Sequence, residues 1–338
     1  MSVGSTCPTI YCADVLDPDS DLVLAIDIGG TKMAVGLVTP AGEVLDRRHT
    51  PTPGSTSGDD LFERLATLVA TVLDGRPVAV CGVGCGGPMT GGGEAVSPIN
   101  IGVWRGFPLR SRLEHLLGIP VFVDNDAKAL ALGEGWLGAA RGTLDYLGMV
   151  VSTGVGGGIV IDGRLLDGAA GNAGHIGHVT VVPDGHACAC GSRGCLEAEA
   201  SGTAIAKITG APAAGASLEV IERTGTLVGR AVADTANLLD LRLAVVAGSV
   251  ALGFGAPFFA AAQREIDLRC RLDYSLGTVI VPGGLGSSGP LVGAAAVGLT
   301  GLGHDVLSDV ANLDPTRPDP TRADTSEATP QRGARHGR

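Results

Sequence analysis

One loop carries a histidine and three cysteines at intervals that suit a single metal ion: residues 178–197, HVTVVPDGHACACGSRGCLE. Thiolate and imidazole ligands in a 3:1 ratio form a common closed structural zinc site. We therefore predict a structural Zn²⁺ bound by His178, Cys188, Cys190 and Cys195. His175 and His186 are alternatives to His178 as the fourth ligand. The metal is then part of the scaffold, and the chemistry lies upstream in the chain.

Length and composition indicate an α/β protein of two lobes. The chain has 338 residues with 45% hydrophobic but only 3% aromatic residues, together with 54 glycines. Its apolar bulk is therefore Ala, Val and Leu, with tight turns between elements. The formal net charge of −11 argues against a nucleic-acid partner, which would require a basic face.

The sequence also predicts a cytoplasmic protein without a membrane span. Its first residues lack the basic and apolar regions of a secretory signal. The uncharged stretch 243–262 is long enough to cross a bilayer, but glycines and Pro257 interrupt it. We interpret this stretch as a buried strand, a Gly-rich loop and a helix that starts near Pro257.

Two strand–glycine–strand units are typical of phosphate binding. In residues 23–38, two β-runs flank a turn in which missing Cβ atoms let backbone amides approach an anion. The second unit, residues 148–161, contains Ser152, Thr153 and Gly154 followed by the glycines 156–158. A plain β-turn would explain the first unit alone, but the pair favours a nucleotide phosphate chain held from both sides.

The sequence does not support two other glycine-rich nucleotide sites, the P-loop and the dinucleotide-binding motif. No P-loop motif is present in the sequence. Gly82, Gly84 and Gly87 spell GxGxxG, but Pro88 follows at once and no acidic residue lies about 20 positions on to hold a ribose. We therefore discount a dinucleotide site.

Asp126 is the predicted general base. It follows a β-run and begins a helical pattern in VFVDNDAKALALGEGWLG. Phosphoryl transfer to an alcohol needs a carboxylate within reach of the attacking hydroxyl. Because Asp and Asn are also common helix caps, the alternative is a purely structural role.

The motifs together resemble the ROK family of bacterial sugar kinases and sugar-responsive repressors. The matching segments occur in order over residues 22–302: DIGGTK, NIGVWRGFPL, DNDAKALALGE, STGVGGG, GNAGHIGH and CACGSRGCLE. The resemblance implies a two-lobed actin-like ATPase (ribonuclease H-like) fold with a structural zinc loop. It further implies ATP with Mg²⁺ in the cleft, a hexose as substrate, and a homodimer.

The resemblance also implies roles for individual residues. Asp126 would take the proton of the sugar 6-hydroxyl. The sugar-binding residues would be Asn100, Asn125, Asp126, His175, His178 and Glu197. The ATP- and Mg²⁺-binding residues would be Asp27, Gly29, Gly30, Thr31, Lys32, Thr153, Gly154 and Gly248. His178 would bind zinc through one ring nitrogen and the sugar through the other.

Three positions depart from the family pattern. His175 replaces the Glu that grips the sugar in glucose kinases, so glucose is not assured as the substrate. Lys128 replaces a small or amide residue, and Gly248-Ser249 replaces Gly-Gly near the adenine. These changes leave open whether ATP or polyphosphate is the phosphate donor, and they could also alter the rate of phosphorylation.

The leading hypothesis is an ATP-dependent, glucokinase-like hexose 6-kinase. The alternatives are an N-acetylhexosamine or mannose-type kinase and a catalytically weak sugar-binding sensor. A ROK repressor would need some 60 residues of helix-turn-helix ahead of the first strand, where about 20 are present.

The predicted organisation has five parts, in which the zinc loop 178–197 belongs to the larger lobe. They are a disordered tail (1–20), a smaller N-terminal α/β lobe (21–123), a larger C-terminal α/β lobe (124–302), the end of the terminal helix region (303–312) and a second disordered tail (313–338).

Overall fold

A computed structural model describes residues 21–307. The predicted tails 1–20 and 313–338 therefore lie outside the described residues. Two five-stranded sheets form the framework of the described part. Each sheet contributes its own apolar cluster, and a third cluster lies between them.

The first sheet combines a meander with parallel strands. In sheet order its strands are β3 (Val44–Pro51), β2 (Lys32–Val38), β1 (Val23–Ile28), β4 (Val80–Cys85) and β5 (Val121–Asn125). β1 and β2 pair antiparallel, as do β2 and β3, whereas β4 runs parallel to both β1 and β5. β4 is buried along its whole length, as expected for a central parallel strand covered on both faces.

The second sheet repeats this arrangement. In sheet order its strands are β8 (Arg164–Leu165), β7 (Val155–Ile161), β6 (Tyr146–Val151), β9 (Leu243–Ala247) and β10 (Val279–Pro282). β6 and β7 form the hairpin, and β9 and β10 add in parallel. In each sheet the first strand along the chain, β1 or β6, therefore leads directly into the turn of the hairpin. This duplication brings the two predicted phosphate turns to equivalent positions.

Nine helices surround and separate the sheets within residues 21–307. They are α1 (Gly58–Leu73), α2 (Leu109–Leu117), α3 (Asp126–Leu137), α4 (Leu196–Ala200), α5 (Gly202–Thr209), α6 (Leu218–Leu239), α7 (Ser249–Phe254), α8 (Ala256–Arg269) and α9 (Gly289–Gly301). α3 and α9 pack against each other between the two sheets. α9 also contacts β1 and β4, and α3 contacts β6 and β7, so this helix pair connects the two halves.

Local sequence explains where these helices begin and end. The Ser57 side chain accepts a hydrogen bond from the Asp60 amide at the start of α1, and Asp74 ends the helix in a left-handed conformation. Residues 243–262 form β9, α7 and the first part of α8, so the predicted Gly-rich loop contains a short helix. None of the helices in the described part of the chain has the length and apolar character needed to cross a membrane.

The glycines 156–158 do not form the turn that the sequence suggested. All three lie in β7, and the phosphate-type turn ends at Gly154. A Cβ atom on Gly158 would lie 2.8 Å from the Lys128 Cα, and one on Gly156 would lie 2.8 Å from the Ala127 Cβ. These glycines therefore let α3 approach the sheet closely, which is a packing role.

Gly82 serves a similar purpose in β4. A Cβ atom there would overlap the carbonyl oxygen of Ala294 and lie 2.6 Å from the Gly298 amide nitrogen, both in the backbone of α9. Since neither group can move without shifting the helix, we expect Gly82→Ala to lower the free energy of unfolding by about 2–4 kcal/mol. Urea denaturation measures this change.

Gly253→Ala is the matched control for this prediction. Gly253 lies in α7 with open space where a Cβ atom would be. We expect this substitution to be neutral or to stabilise by at most about 1 kcal/mol. Equal stability of the two variants would show that α9 does not depend on the close approach to β4.

Candidate active site and metal centre

Asp126 lies where β5 ends and α3 begins. Asn125 is the N-cap residue of α3, and its side-chain oxygen accepts hydrogen bonds from the amides of Ala127 (3.0 Å) and Lys128 (3.4 Å). Burial raises the pKa of Asp126, the Ala127 amide opposes that shift, and the Glu197 carboxylate adds to it. Asn125 is therefore the N-cap residue, and Asp126 accepts a further hydrogen bond from the same Ala127 amide.

Asp27 forms a second half-buried acidic position, near the end of β1. Burial, with a smaller contribution from the charge of Asp126, raises its pKa to about 7 against the opposing charge of Lys32. The two carboxylates therefore lie near each other with little cationic compensation. Carboxylates without compensating charge are suited to a cation that arrives with the substrate.

The first phosphate-type turn connects β1 to β2 beside Asp27. The Gly29 amide donates to the Lys32 carbonyl at 3.0 Å, and the Thr52 hydroxyl donates to the Gly29 carbonyl at 2.7 Å. A Cβ atom on Gly30 would lie 2.7 Å from the Asn100 Cβ. Only glycine therefore permits the contact between this turn and Asn100.

The second turn connects β6 to β7 and faces the same asparagine. The Ser152 amide donates to the Gly154 carbonyl at 2.9 Å. A Cβ atom on Gly154 would lie 2.7 Å from Glu197 Oε2 and 3.7 Å from Asn100 Nδ2. The two turns, which belong to different sheets, therefore meet at Asn100.

Further contacts fix the second turn. The Thr203 hydroxyl donates to the Thr153 carbonyl at 2.9 Å, and the Ser152 and Ser249 hydroxyl oxygens lie 3.0 Å apart. Gly248 has a φ of 98° and precedes α7. The start of α7, with Gly248 before it, therefore lies next to the second turn, and nucleotide contacts by Thr153, Gly154 and Gly248 stay a prediction.

The predicted sugar-binding residues come from four separate segments of the chain, which the structure brings close together. A Cβ atom on Gly87 would lie 3.2 Å from His175 Cε1 and 3.3 Å from Asn125 Nδ2, so these two side chains are near neighbours. Glu197 Oε2 accepts a hydrogen bond from the Val155 amide at 3.0 Å. Burial lowers the pKa of His175, and the nearby His178 lowers it further, so its imidazole is neutral near pH 7.

The predicted zinc ligands lie together. The ligand atoms of His178, Cys188, Cys190 and Cys195 are all within 4.8 Å of one another. Cys190 Sγ and Cys195 Sγ are 3.7 Å apart, and Cys188 Sγ lies 3.6 Å from His178 Nδ1. A tetrahedral zinc ion with Zn–S bonds of about 2.3 Å separates its sulfur ligands by about 3.8 Å. The cluster therefore fits one such ion.

The same geometry decides among the three histidines. His178 turns Nδ1 toward the cysteines, which leaves Nε2 for another contact. His186 Nδ1 instead lies 2.9 Å from Glu199 Oε1, and His175 is outside the cluster, its ring centre 6.0 Å from that of His178. Because Cys195 immediately precedes α4, a metal in this cluster would position Glu197 two residues later.

Sequence reasoning missed the contacts of the loop that leads to His175. The Asn172 side chain accepts from the Met89 amide at 3.2 Å and donates to the Met89 carbonyl at 3.0 Å. Lys128, noted only as a departure from the family pattern, forms ion pairs with Asp124 and Asp167. Asp124 is only four residues from Lys128, but the Asn172–Met89 and Lys128–Asp167 pairs join residues 83 and 39 positions apart, and no local pattern indicates them.

The two sheets have the same strand order, a helix pair separates them, and their glycine turns meet at Asn100. This arrangement is the actin-like ATPase fold predicted above. Residues 23–300 match the ROK family. The chain therefore belongs to the ROK family, which confirms the resemblance seen in its motifs.

Individual relatives include kinases for different sugars. An N-acetylmannosamine kinase of Escherichia fergusonii is 40% identical over 248 residues, covering 69% of this chain and 84% of the relative. A glucokinase of Halalkalibacterium halodurans is 42% identical over 192 residues, covering 55% of this chain and 58% of that protein. The structure of a ROK family glucokinase from Streptomyces griseus in complex with glucose and AMPPNP is similar with a TM-score of 0.73 and 30% identity, covering 82% of this chain and 99% of that one.

Cys190→Ser tests the metal cluster. We expect zinc content to fall from about one ion per chain to a small fraction, because a closed structural site needs all four ligands. Elemental analysis of the purified protein measures this. Cys270→Ala, which changes a buried cysteine outside the cluster, should keep its zinc. Equal zinc in both variants would remove Cys190 from the ligand set.

Proposed function

We propose that the protein transfers the γ-phosphoryl group of ATP to the 6-hydroxyl group of a hexose. The main support is the meeting of two glycine turns from different sheets at Asn100, beside the half-buried carboxylates Asp27 and Asp126. Turns with free backbone amides suit the phosphate chain, and a carboxylate next to them suits an attacking alcohol. Positioning and charge neutralisation supply most of the catalysis in such reactions.

Asp126 is the proposed general base. Its carboxylate accepts the proton of the sugar hydroxyl as the oxygen attacks phosphorus. Its raised pKa brings its basicity closer to the working pH, which makes the carboxylate a better base than an exposed Asp. The Ala127 amide, which donates to Asp126 Oδ1 at 2.9 Å, fixes the orientation of this group.

Asp27 is the proposed contact for the metal that accompanies ATP. Mg²⁺ prefers oxygen ligands and neutralises charge on the β- and γ-phosphates. Asp27 offers a half-buried carboxylate beside the first glycine turn, with the Asp126 carboxylate as a neighbour. Thr31 and Lys32 complete the proposed phosphate surface on this side, and Thr153 and Gly154 complete it on the other.

The proposed sugar contacts are Asn100, Asn125, His175, His178 and Glu197. Amide and carboxylate groups at several angles suit a ring of hydroxyls, since each can accept or donate hydrogen bonds. We propose that the zinc ion is structural. It would hold His178 and the start of α4 so that Glu197 keeps its position.

Among hexoses we propose N-acetylmannosamine as the preferred substrate. The N-acetylmannosamine kinase relative covers more of this chain than the glucokinase relative does, 69% against 55%. His175 gives a chemical reason, because a neutral imidazole can donate a hydrogen bond to an acetamido carbonyl, whereas an ionised Glu can only accept. By the family resemblance, glucose kinases carry that Glu at the position where this chain has His175.

We expect Asp126→Asn to lower kcat by about 10²–10⁴, because the substituted amide cannot accept the hydroxyl proton. Sugar affinity, measured by calorimetry, should change little. A coupled assay of ADP formation measures kcat. A near-normal kcat would remove Asp126 from the role of base.

The preferred sugar is tested with a panel of glucose, mannose, N-acetylglucosamine and N-acetylmannosamine. We expect the highest kcat/KM with N-acetylmannosamine. His175→Glu should reduce the preference for it over glucose by about 10–100-fold, the scale of losing one specific hydrogen bond and leaving its partner unpaired.

His175→Gln is the matched control, because its amide keeps an N–H donor and should keep the preference. An unchanged sugar ratio in His175→Glu would contradict the assigned role of His175. Sugar binding without turnover of any sugar would favour the sensor alternative over a kinase.

A further inference from the structure

Lys128 is a buried cation close to the base, yet nothing in the proposed chemistry uses it. It lies in the first turn of α3, two residues after Asp126, and only 1% of its surface is exposed. Its Nζ lies 3.0 Å from Asp124 Oδ1, 2.9 Å from Asp167 Oδ1 and 3.4 Å from the Gly171 carbonyl oxygen. The three donors of an ammonium group are therefore all matched by acceptors.

These acceptors lie on two different segments. Asp124 belongs to β5. Asp167 and Gly171 belong to the loop formed by residues 166–175, which starts after β8 and ends at His175. Lys128 thus connects the strand that precedes the proposed base to the loop that carries the proposed specificity residue. It remains charged, because burial lowers its pKa but Asp124 and Asp167 raise it by more.

The 166–175 loop has few other constraints. Residues 166–170 are exposed, and residues 167–171 line a cavity of about 810 Å³. Besides the Lys128 contacts, the Asn172–Met89 pair and the bond from the Leu166 amide to the Ile159 carbonyl connect the loop to other segments, and the Ile176 and His178 amides bond to its last residues. A loop that borders empty space on one side depends on polar contacts for its position.

We propose that Lys128 is a positioning residue that fixes the 166–175 loop, and with it His175, relative to the Asn125–Asp126 pair. The inference rests on the proposed function only in assigning the loop to sugar binding. Loss of the connection should therefore weaken sugar binding much more than phosphoryl transfer. Binding of ATP, whose proposed contacts are the two glycine turns, should stay the same.

Asp167→Asn is the most informative variant. The Asp167 side chain is 73% exposed, and Lys128 keeps its ion pair with Asp124, so we expect normal folding. We expect the KM for sugar to rise about fivefold, the scale of losing one partly exposed ion pair, with kcat and the KM for ATP within twofold. Asp167→Glu keeps the carboxylate and should recover most of the loss.

Asp162→Asn is the matched control. It makes the same charge change at an exposed Asp five residues earlier, outside the Lys128 contacts. All kinetic constants should remain at wild-type values. If Asp162→Asn raised the sugar KM as much as Asp167→Asn did, the effect would be one of net charge, and the positioning role would be wrong.

Hydrogen exchange of the protein without sugar or nucleotide gives a readout that does not require kinase activity. We expect amides of residues 166–175 to exchange about tenfold faster in Asp167→Asn than in wild type or Asp162→Asn. Unchanged exchange would overturn the proposal even if the enzyme is active. Faster exchange with an unchanged sugar KM would equally overturn the positioning role.

Lys128→Gln supplies an independent test. It should raise the sugar KM at least as much as Asp167→Asn, and adding Asp167→Asn to it should cause no further rise, because the shared contact is already lost. Additive effects of the two substitutions would contradict a direct connection. A wild-type protein that phosphorylates no sugar, with exchange behaving as expected, would refute the proposed function and leave the loop connection intact.

Discussion

The close packing of α3 between the sheet of β7 and helix α9 is the constraint on which the site depends. Cβ atoms on Gly148 and Gly158 would lie 2.6 and 2.8 Å from the Ala131 Cβ, and one on Gly133 would lie 3.0 Å from the Gly293 Cα. Such contacts leave α3 little freedom to shift or rotate. Because Asn125 and Asp126 begin this helix, its packing fixes the base relative to the glycine turns of both sheets.

The site combines this rigid helix with groups held by polar contacts. The cysteine and histidine cluster fits a zinc ion and directly precedes the helix that carries Glu197. Lys128 in turn joins β5 to the loop that ends at His175. Both arrangements use charged or metal-binding groups where the chain has little apolar surface to bury. The low aromatic content of the chain is consistent with this reliance on small residues and polar anchors.

Features with a local signature were predicted well from the sequence. The strands around both glycine turns, the helix after Asn125 and the spacing of the three cysteines were all recognised and have the expected structures. The glycines 156–158 were misinterpreted, because a glycine run looks alike whether it serves a turn or a close helix contact. The Lys128–Asp167 ion pair and the bonds of Asn172 could not be predicted, since their partners come from distant segments.

The sequence by itself determined the class of the protein, because turn glycines, metal-ligand spacing and a strand-to-helix Asn-Asp pair are each set by short-range chemistry. Tertiary structure alone decided that both turns meet at Asn100, that His178 and not His175 or His186 joins the cysteines, and that Lys128 faces the loop before His175. The reason is physical: which side chains become neighbours depends on how two sheets and the helices between them pack, and that packing sums weak contacts over the whole chain.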